Sequence, residues 1–412
     1  MNRWDAVVVG AGPAGSVTAM LLARQGARVL LVDRARFPRD KACSEYLTPE
    51  TTRVLEQLGD GILRAVEAKA PARLTGMKLV TPDGTEAIGR FREGPGYAPP
   101  RPYAFALPRT VFDQVLVEAA VRAGVELREG TPIDDLVWEA GSVGGVVVRQ
   151  PGALKYGTGS RSLRGRIVIG ADGLRSVVAR RLGYRRSGPP RRIAYSAHVA
   201  DVHGVTDLGE MHIGTNGYVG MGPIGNGETT VALVVPASRA HPEFTHPEGF
   251  VRALDEFPKI RGRYRADRFT RSILATGPFA QWSRASTADG ALLVGDAADF
   301  FDPFTGQGIF SALTGARLAA QVVGEALERS PAGPLPAQAL ESYRRGRRRA
   351  FAGKWVLERL IGFGVGSPAL ATRVVRRLAR RPDLADLLVG ATGNFIPAGR
   401  VLHPATLATL IA

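Results

Sequence analysis

Apolar residues along this chain gather into short runs that end in glycine and are followed by helical patterns. Val7-Val8-Val9 enters the turn Gly10-Ala11-Gly12-Pro13-Ala14-Gly15. Val17, Met20, Leu21 and Leu22 then recur at helical spacing, and Val29-Leu30-Leu31-Val32 ends on Asp33. Residues 166–183, RIVIGADGLRSVVARRLG, read as a strand, the pair Asp172-Gly173 and a helix. In residues 289–310, Ala291-Leu292-Leu293-Val294 has a buried-strand pattern closed by Gly295-Asp296. Pro303 and Gly306-Gln307-Gly308 then open a helix predicted from Ile309 to Val323.

Between these runs the pattern changes. Residues 71–107 carry Pro71, Pro82-Asp83-Gly84, Pro95 and Pro99-Pro100 and read as strands and loops. An antiparallel hairpin is expected near 133–158, with a Gly-rich turn from Gly141 to Gly145. Alternating strand patterns follow at Ile193 to Val199, Glu210 to Ile213, Tyr218 to Met221 and Thr229 to Val235. They predict a sheet that floors a substrate pocket. Residues 331–412 read mostly helical, with Pro382 and Pro397 as breaks.

The first motif has a definite chemistry. Gly10 permits a tight turn, Gly12 lets backbone approach a pyrophosphate, and Gly15 lets the helix pack on the sheet. The helix N-terminus offers free N–H groups and a positive dipole end. Asp33 stands at the ~20-residue spacing of a carboxylate that binds a ribose hydroxyl. Strand, glycine turn, helix, strand and acid in this order predict an adenine-dinucleotide site.

With the three motifs in sequence, the chain resembles the FAD-dependent oxidoreductases of the para-hydroxybenzoate hydroxylase fold. These include aromatic hydroxylases, flavin-dependent halogenases and geranylgeranyl reductases. The resemblance implies an α/β fold: a Rossmann-like FAD-binding domain (1–70, 108–183, 287–330), an inserted antiparallel-sheet substrate domain (71–107, 184–286) and a helical C-terminal region (331–412). It implies cofactor contacts from Gly10, Gly12, Pro13, Ala14, Gly15, Asp33, Arg34, Cys43, Arg109, Asp172, Gly173, Gly295, Asp296, Pro303, Gly306, Gln307 and Gly308. Asp296 is expected on the ribityl chain, Pro303 to Gly308 against the isoalloxazine, and Asp172-Gly173 over the cofactor near the pyrophosphate. Arg109 is expected to head a helix and reach the FAD. Asp299 stands where the family often has histidine. No second complete GxGxxG follows a strand, so NAD(P)H is expected as a transient reductant in a surface groove, or a separate flavin reductase supplies the electrons.

Composition narrows the class. No apolar run among the 412 residues reaches membrane-span length, and Met1-Asn2-Arg3-Trp4 leads straight into the first strand. The single cysteine, Cys43, leaves no internal disulfide framework and no Cys-based metal cluster, and no metal site is expected. A cytoplasmic enzyme is the expectation. The formal charge of +16 invites a nucleic-acid reading, but the excess is nearly all arginine and no nucleic-acid motif accompanies it. Dense arginines at 344–349 and 376–381, with Val356, Leu357, Leu360, Ile361 and Phe363 between, fit either solvated helix faces or weak attachment to an anionic membrane surface.

The loop RFPRDKACSEYLTP, residues 36–49, resembles the corresponding loop of geranylgeranyl reductases and of halogenases. It would bring Cys43, Ser44 and Glu45 close to the flavin, with Cys43 either a catalytic thiol or a small buried residue. In GYVGMGPIGNGETTVALVV, residues 217–235, Tyr218 and Pro223 remain but no tryptophan does. Gly220 and Gly222 suggest a roomy wall for an aromatic, polycyclic or alkyl substrate. The catalytic candidates are Cys43, Glu45, Tyr218, His212 and Pro303, with His198 and His212 as the histidines in pocket strands. The expected activity is an FAD monooxygenase that hydroxylates a phenolic or polyketide-type substrate through a flavin hydroperoxide. The alternative is a reductase of prenyl double bonds.

Overall fold

The computed structural model describes residues 3–43, 45–149, 160–330 and 332–411. The glycine-terminated apolar runs form a parallel sheet in the order Ala291–Leu293, Ser160–Gly170, Trp4–Val9, Val29–Val32 and Glu126–Arg128. Val7, Val8, Leu30 and Leu31 are fully buried, because the sheet is covered on both faces. One face takes the helices Pro13–Arg24, Arg109–Arg122 and Gly308–Arg329. The other takes a hairpin, Ile133–Glu139 with Ser142–Arg149. Its turn is Ala140-Gly141, both at positive φ; Gly145 belongs to a bulge within the second strand. The expected hairpin segment 150–158 lies outside the described residues.

A seven-stranded sheet stands beside this layer, in the order Leu274–Thr276, Arg192–Ala200, Glu228–Pro236, Gly217–Gly225, Leu208–Gly214, Gly76–Val80 and Glu86–Arg90. The four alternating patterns are its central strands, each about two to five residues longer than the sequence implies. Alternation gives the sheet two faces. Tyr195, Val219, Leu233 and Val235 pack under the helix Pro247–Leu254. Ala194, Met211, Ile213 and Val234 face the C-terminal helices Glu341–Gly364, Pro368–Arg380 and Pro382–Thr392. Pro382 opens the last of these, and Pro397 caps the short helix Ala398–Val401. Among the described residues no helix is long and apolar enough to cross a membrane.

Candidate active site

The glycine turn is built for a phosphate group. A Cβ on Gly15 would lie 1.8 Å from the Gly10 carbonyl oxygen, so the helix can pack this closely only on glycine. A Cβ on Gly12 would meet nothing nearer than the end of Arg39, 3.2 Å away. The space above Gly12 is therefore closed by one flexible cation and by no backbone. The helix that begins at Pro13 has no side-chain cap, so its first N–H groups are free for a ligand. Asp33 accepts from the Ala11 N–H (2.7 Å) and the Ala35 N–H (2.8 Å), fixing both the turn and the following loop. Arg34, expected at the cofactor, is exposed.

The loop after Asp33 supplies cations that sequence reasoning missed. Arg39 lies over Gly12, 3.1 Å from Asp113, and its buried Nη1 has no hydrogen-bond partner. Lys41 reaches Asp296 (3.4 Å) and stands 3.6 Å from where a Cβ on Gly173 would be. Both border the open cradle of the glycine turn, and two cations beside a free helix start fit the phosphates of a dinucleotide.

Two of the residues expected at the cofactor bind protein partners in this structure. Arg109 heads the helix Arg109–Arg122, but its guanidinium folds back onto Asp113 in a buried bidentate pair, 2.7 Å on each arm. Burial opposes its charge, yet Asp113 and the neighbouring Cys43 hold its pKa above the ordinary arginine value. Its spacing to Asp113, i to i+4, was the available signal. Asp172 does lie against the glycine turn: a Cβ on Gly10 would come within 2.9 Å of its Cα. Its carboxylate, however, accepts from Ser176 Oγ and the Val177 N–H, both at 2.6 Å, and so fixes the start of the next helix.

Glu45 is buried at φ +60°, a conformation a side chain adopts only when its surroundings impose it. Its Oε2 lies 2.6 Å from His198 Nε2, and its Oε1 accepts from the Arg109 N–H at 3.2 Å. The Glu45 N–H points to Cys43 Sγ at 3.3 Å, and Ser196 donates to the Cys43 carbonyl at 3.1 Å. Loop and substrate sheet are thus sewn together through Cys43 and Glu45. Ser44 lies outside the described residues.

At the far end, Gly295-Asp296 leaves its strand in a tight turn, and Asp296 is partly exposed beside Lys41. Asp302 accepts from Tyr218 Oη (2.6 Å), Arg192 Nη1 (2.6 Å) and the Phe304 N–H (3.0 Å). It thereby anchors the turn Pro303–Thr305 to the sheet. Tyr218, expected as a catalytic group, is fully buried and committed to Asp302; burial first, and that carboxylate second, raise its pKa. Gly306 has φ +65°, and a Cβ there would run into the Tyr46 ring at 2.7 Å. Gln307 binds the Ala391 carbonyl and Asn394, tying the helix Gly308–Arg329 to the C-terminal region. That helix runs six residues past the expected Val323. Asp299 pairs with Arg347.

Beyond Pro303–Gly306 lies a cavity of about 340 Å³. Its walls come from the substrate sheet (Met211, Ile213, Gly220) and from C-terminal helices (Leu357, Val375, Leu388). Polar groups on its wall are few: Tyr46 and the hydroxyls of Thr230, Thr305 and Thr392. Thr230 Oγ1 is buried without a hydrogen-bond partner. Burial pushes the Tyr46 phenol well above its ordinary pKa, so it stays protonated at neutral pH.

His212 is corrected as a catalytic candidate. Met211 and Ile213 face the cavity, so alternation turns His212 to the opposite face. There its Nε2 lies 2.7 Å from Glu210, which also binds Arg263 (3.0 Å) and Lys78 (3.2 Å). Burial would raise the Glu210 pKa, but bonds from His212 and Arg263 prevail and bring it down from 4.5 to about 2. A depressed carboxylate stabilises the fold above its unfolded pKa and loses that contribution as pH falls through the folded value. Glu210→Gln is therefore expected to cost on the order of 3 kcal/mol at neutral pH, at about 1.36 kcal/mol per pKa unit. The difference from wild type should vanish between pH 4.5 and 2. Urea titrations over a pH series check this; a pH-independent difference would contradict it.

A parallel sheet with a glycine turn, joined to a mixed sheet that is antiparallel except where Leu208–Gly214 pairs in parallel with Gly76–Val80, with a cavity beside Pro303–Gly306, is the architecture of a flavoprotein oxidoreductase. The chain belongs to the FAD binding domain family, whose profile matches residues 3–356, and FAD is its cofactor. It is 30% identical over 335 residues to digeranylgeranylglycerophospholipid reductase 1 of Methanococcoides burtonii, covering 79% of this chain and 76% of that protein. The fold matches a flavoprotein/dehydrogenase from Cytophaga hutchinsonii with a TM-score of 0.83 at 20% identity, over 100% of this chain and 99% of the other. It matches a geranylgeranyl bacteriochlorophyll reductase-like protein from Thermoplasma acidophilum with a TM-score of 0.77 at 22% identity, over 100% and 99%. Flavin-dependent halogenases share the fold as well.

Proposed function

We propose that this oxidoreductase saturates double bonds in a long-chain prenyl lipid. The observation that carries the reading is the cavity: large, lined almost wholly by aliphatic side chains, and closed at one end by Pro303–Gly306. Such a wall stabilises a hydrocarbon chain through apolar burial, at about 0.8 kcal/mol per methylene. Among the described residues its wall offers no base to remove a phenolic proton: Tyr46 is itself protonated at neutral pH, His212 faces away and His198 is bonded to Glu45. The reductases among the relatives support the same reading.

Reduced FAD, when bound, supplies the hydride. The chain's own residues hold the cofactor, exclude water and deliver a proton. Arg39, Lys41 and the free helix N-terminus at Pro13 would hold the pyrophosphate, and Asp296 the ribityl side. Tyr46 is the cavity-facing group next to Gly306 that carries a proton at neutral pH. Tyr46 would give its proton to the alkene carbon that does not receive the hydride, so that the π bond becomes two C–H bonds. Tyr46 is then reprotonated from solvent. Neither Cys43 nor Tyr218 lines the cavity, and Tyr218 is bonded to Asp302.

Anaerobic stopped flow tests this. Photoreduced enzyme mixed with a geranylgeranyl lipid should regain the oxidised flavin spectrum without oxygen. Tyr46→Phe should slow that phase by about 10²-fold or more, the usual range for a lost general acid. Reoxidation that requires oxygen and is accelerated by a phenol would overturn the reading in favour of hydroxylation.

A further inference from the structure

We propose that the outer face of the helices Glu341–Gly364 and Pro368–Arg380 docks on an anionic lipid bilayer, with the cavity mouth turned into the membrane. The proposal rests on the function above for what enters the cavity, but not for the docking itself. Leu360, Leu370 and Ile411 line the cavity and are also exposed, so they form its rim. On the first helix, Val356, Leu360 and Phe363 follow one another at i, i+4 and i+7, each roughly half exposed. Large apolar side chains grouped on the surface around a cavity mouth mark an interaction site, whereas single ones scattered over a surface do not.

Charge selects the occupant. At ~100° per residue, exposed Arg345 and Arg349 fall within the same arc of about 60° as Val356, Leu360 and Phe363. One stripe thus runs from cations to hydrocarbon. On the second helix, Arg373, Arg377 and Arg380 flank Leu370, while Ala371, Val375 and Leu378 turn inward. Arg345, Arg349, Arg373 and Arg380 make no ion pair among the described residues. A second copy of the chain seated on this face would bring these arginines against one another. Anionic headgroups meet them while the apolar rim enters the acyl boundary. A prenyl lipid could then pass from bilayer to cavity without crossing water.

Cosedimentation of the FAD-loaded protein with phosphatidylcholine vesicles, with and without phosphatidylglycerol, tests the proposal. Binding should require the anionic lipid and weaken as salt rises. Each arginine near such a surface contributes about fivefold in affinity, so Arg345→Gln with Arg349→Gln should cost about 25-fold. Val356→Glu with Phe363→Glu should abolish binding while flavin content stays at the wild-type level. Absence of binding by folded, FAD-loaded protein would overturn the proposal. So would a stable dimer in sedimentation that the glutamate variant dissociates. Turnover is scored separately, on prenyl lipid in detergent micelles without vesicles. Turnover without vesicle binding sinks only the docking; vesicle binding without turnover sinks only the reductase reading.

Discussion

Gly12→Val is expected to yield a folded, colourless protein. The residue has φ −74° and ψ −177°, extended backbone that valine adopts without strain. A new Cβ would touch only the flexible end of Arg39. The fold therefore has no reason to fail. The valine methyls would stand where the pyrophosphate approaches the helix N-terminus. Losing two charge-assisted hydrogen bonds, at about 1.5–3 kcal/mol each, weakens FAD by roughly 10²- to 10⁴-fold. Circular dichroism should match wild-type apoprotein, and a flavin titration should show the loss. Gly15→Val is the contrast: its Cβ would lie inside the Gly10 carbonyl, so that variant should fail to fold. Wild-type flavin affinity in Gly12→Val would remove the turn from the cofactor site.

Gly220→Trp should reverse the pattern, keeping the flavin and losing the substrate. Gly220 lines the cavity, and its nearest neighbour in the added Cβ direction is Met211 Sδ at 3.1 Å. The indole would extend from the sheet into the space proposed for the chain. Displacing about four methylenes, at ~0.8 kcal/mol each, predicts a fall in kcat/KM of roughly 10²-fold for long prenyl chains. Short prenyl substrates should lose much less. An equal loss for both lengths would mean that the cavity does not hold the chain.

The parallel sheet and its glycine turn were legible because their patterns are local: an apolar run, a turn and a helix leave a continuous signature. The substrate strands were legible through alternation. What sequence did not reveal was which face each strand turns inward. His212 was read as a pocket residue, yet one position separates it from Met211 and Ile213, and that step carries it across the sheet. Side-chain pairings between distant segments were equally hidden. Asp113 draws Arg109 back onto its own helix, Asp302 takes Tyr218 and Arg192, and Glu45 meets His198 from 153 residues away. The cavity itself was out of reach, because much of its wall comes from the C-terminal helices, which the sequence marked only as mostly helical. Hydroxylation was the activity expected, with Gly220 and Gly222 read as a roomy wall for an aromatic, polycyclic or alkyl substrate. The aliphatic lining from those helices, together with the reductases among the relatives, turns the reading toward the alternative.

The most direct test of the central claim is the mass of the product from a single anaerobic turnover. Photoreduced enzyme, a geranylgeranyl lipid and no oxygen should give a lipid that has gained hydrogen and no oxygen, in step with the flavin oxidised. An unchanged lipid under these conditions, with an oxygenated product when air is admitted, would contradict the account.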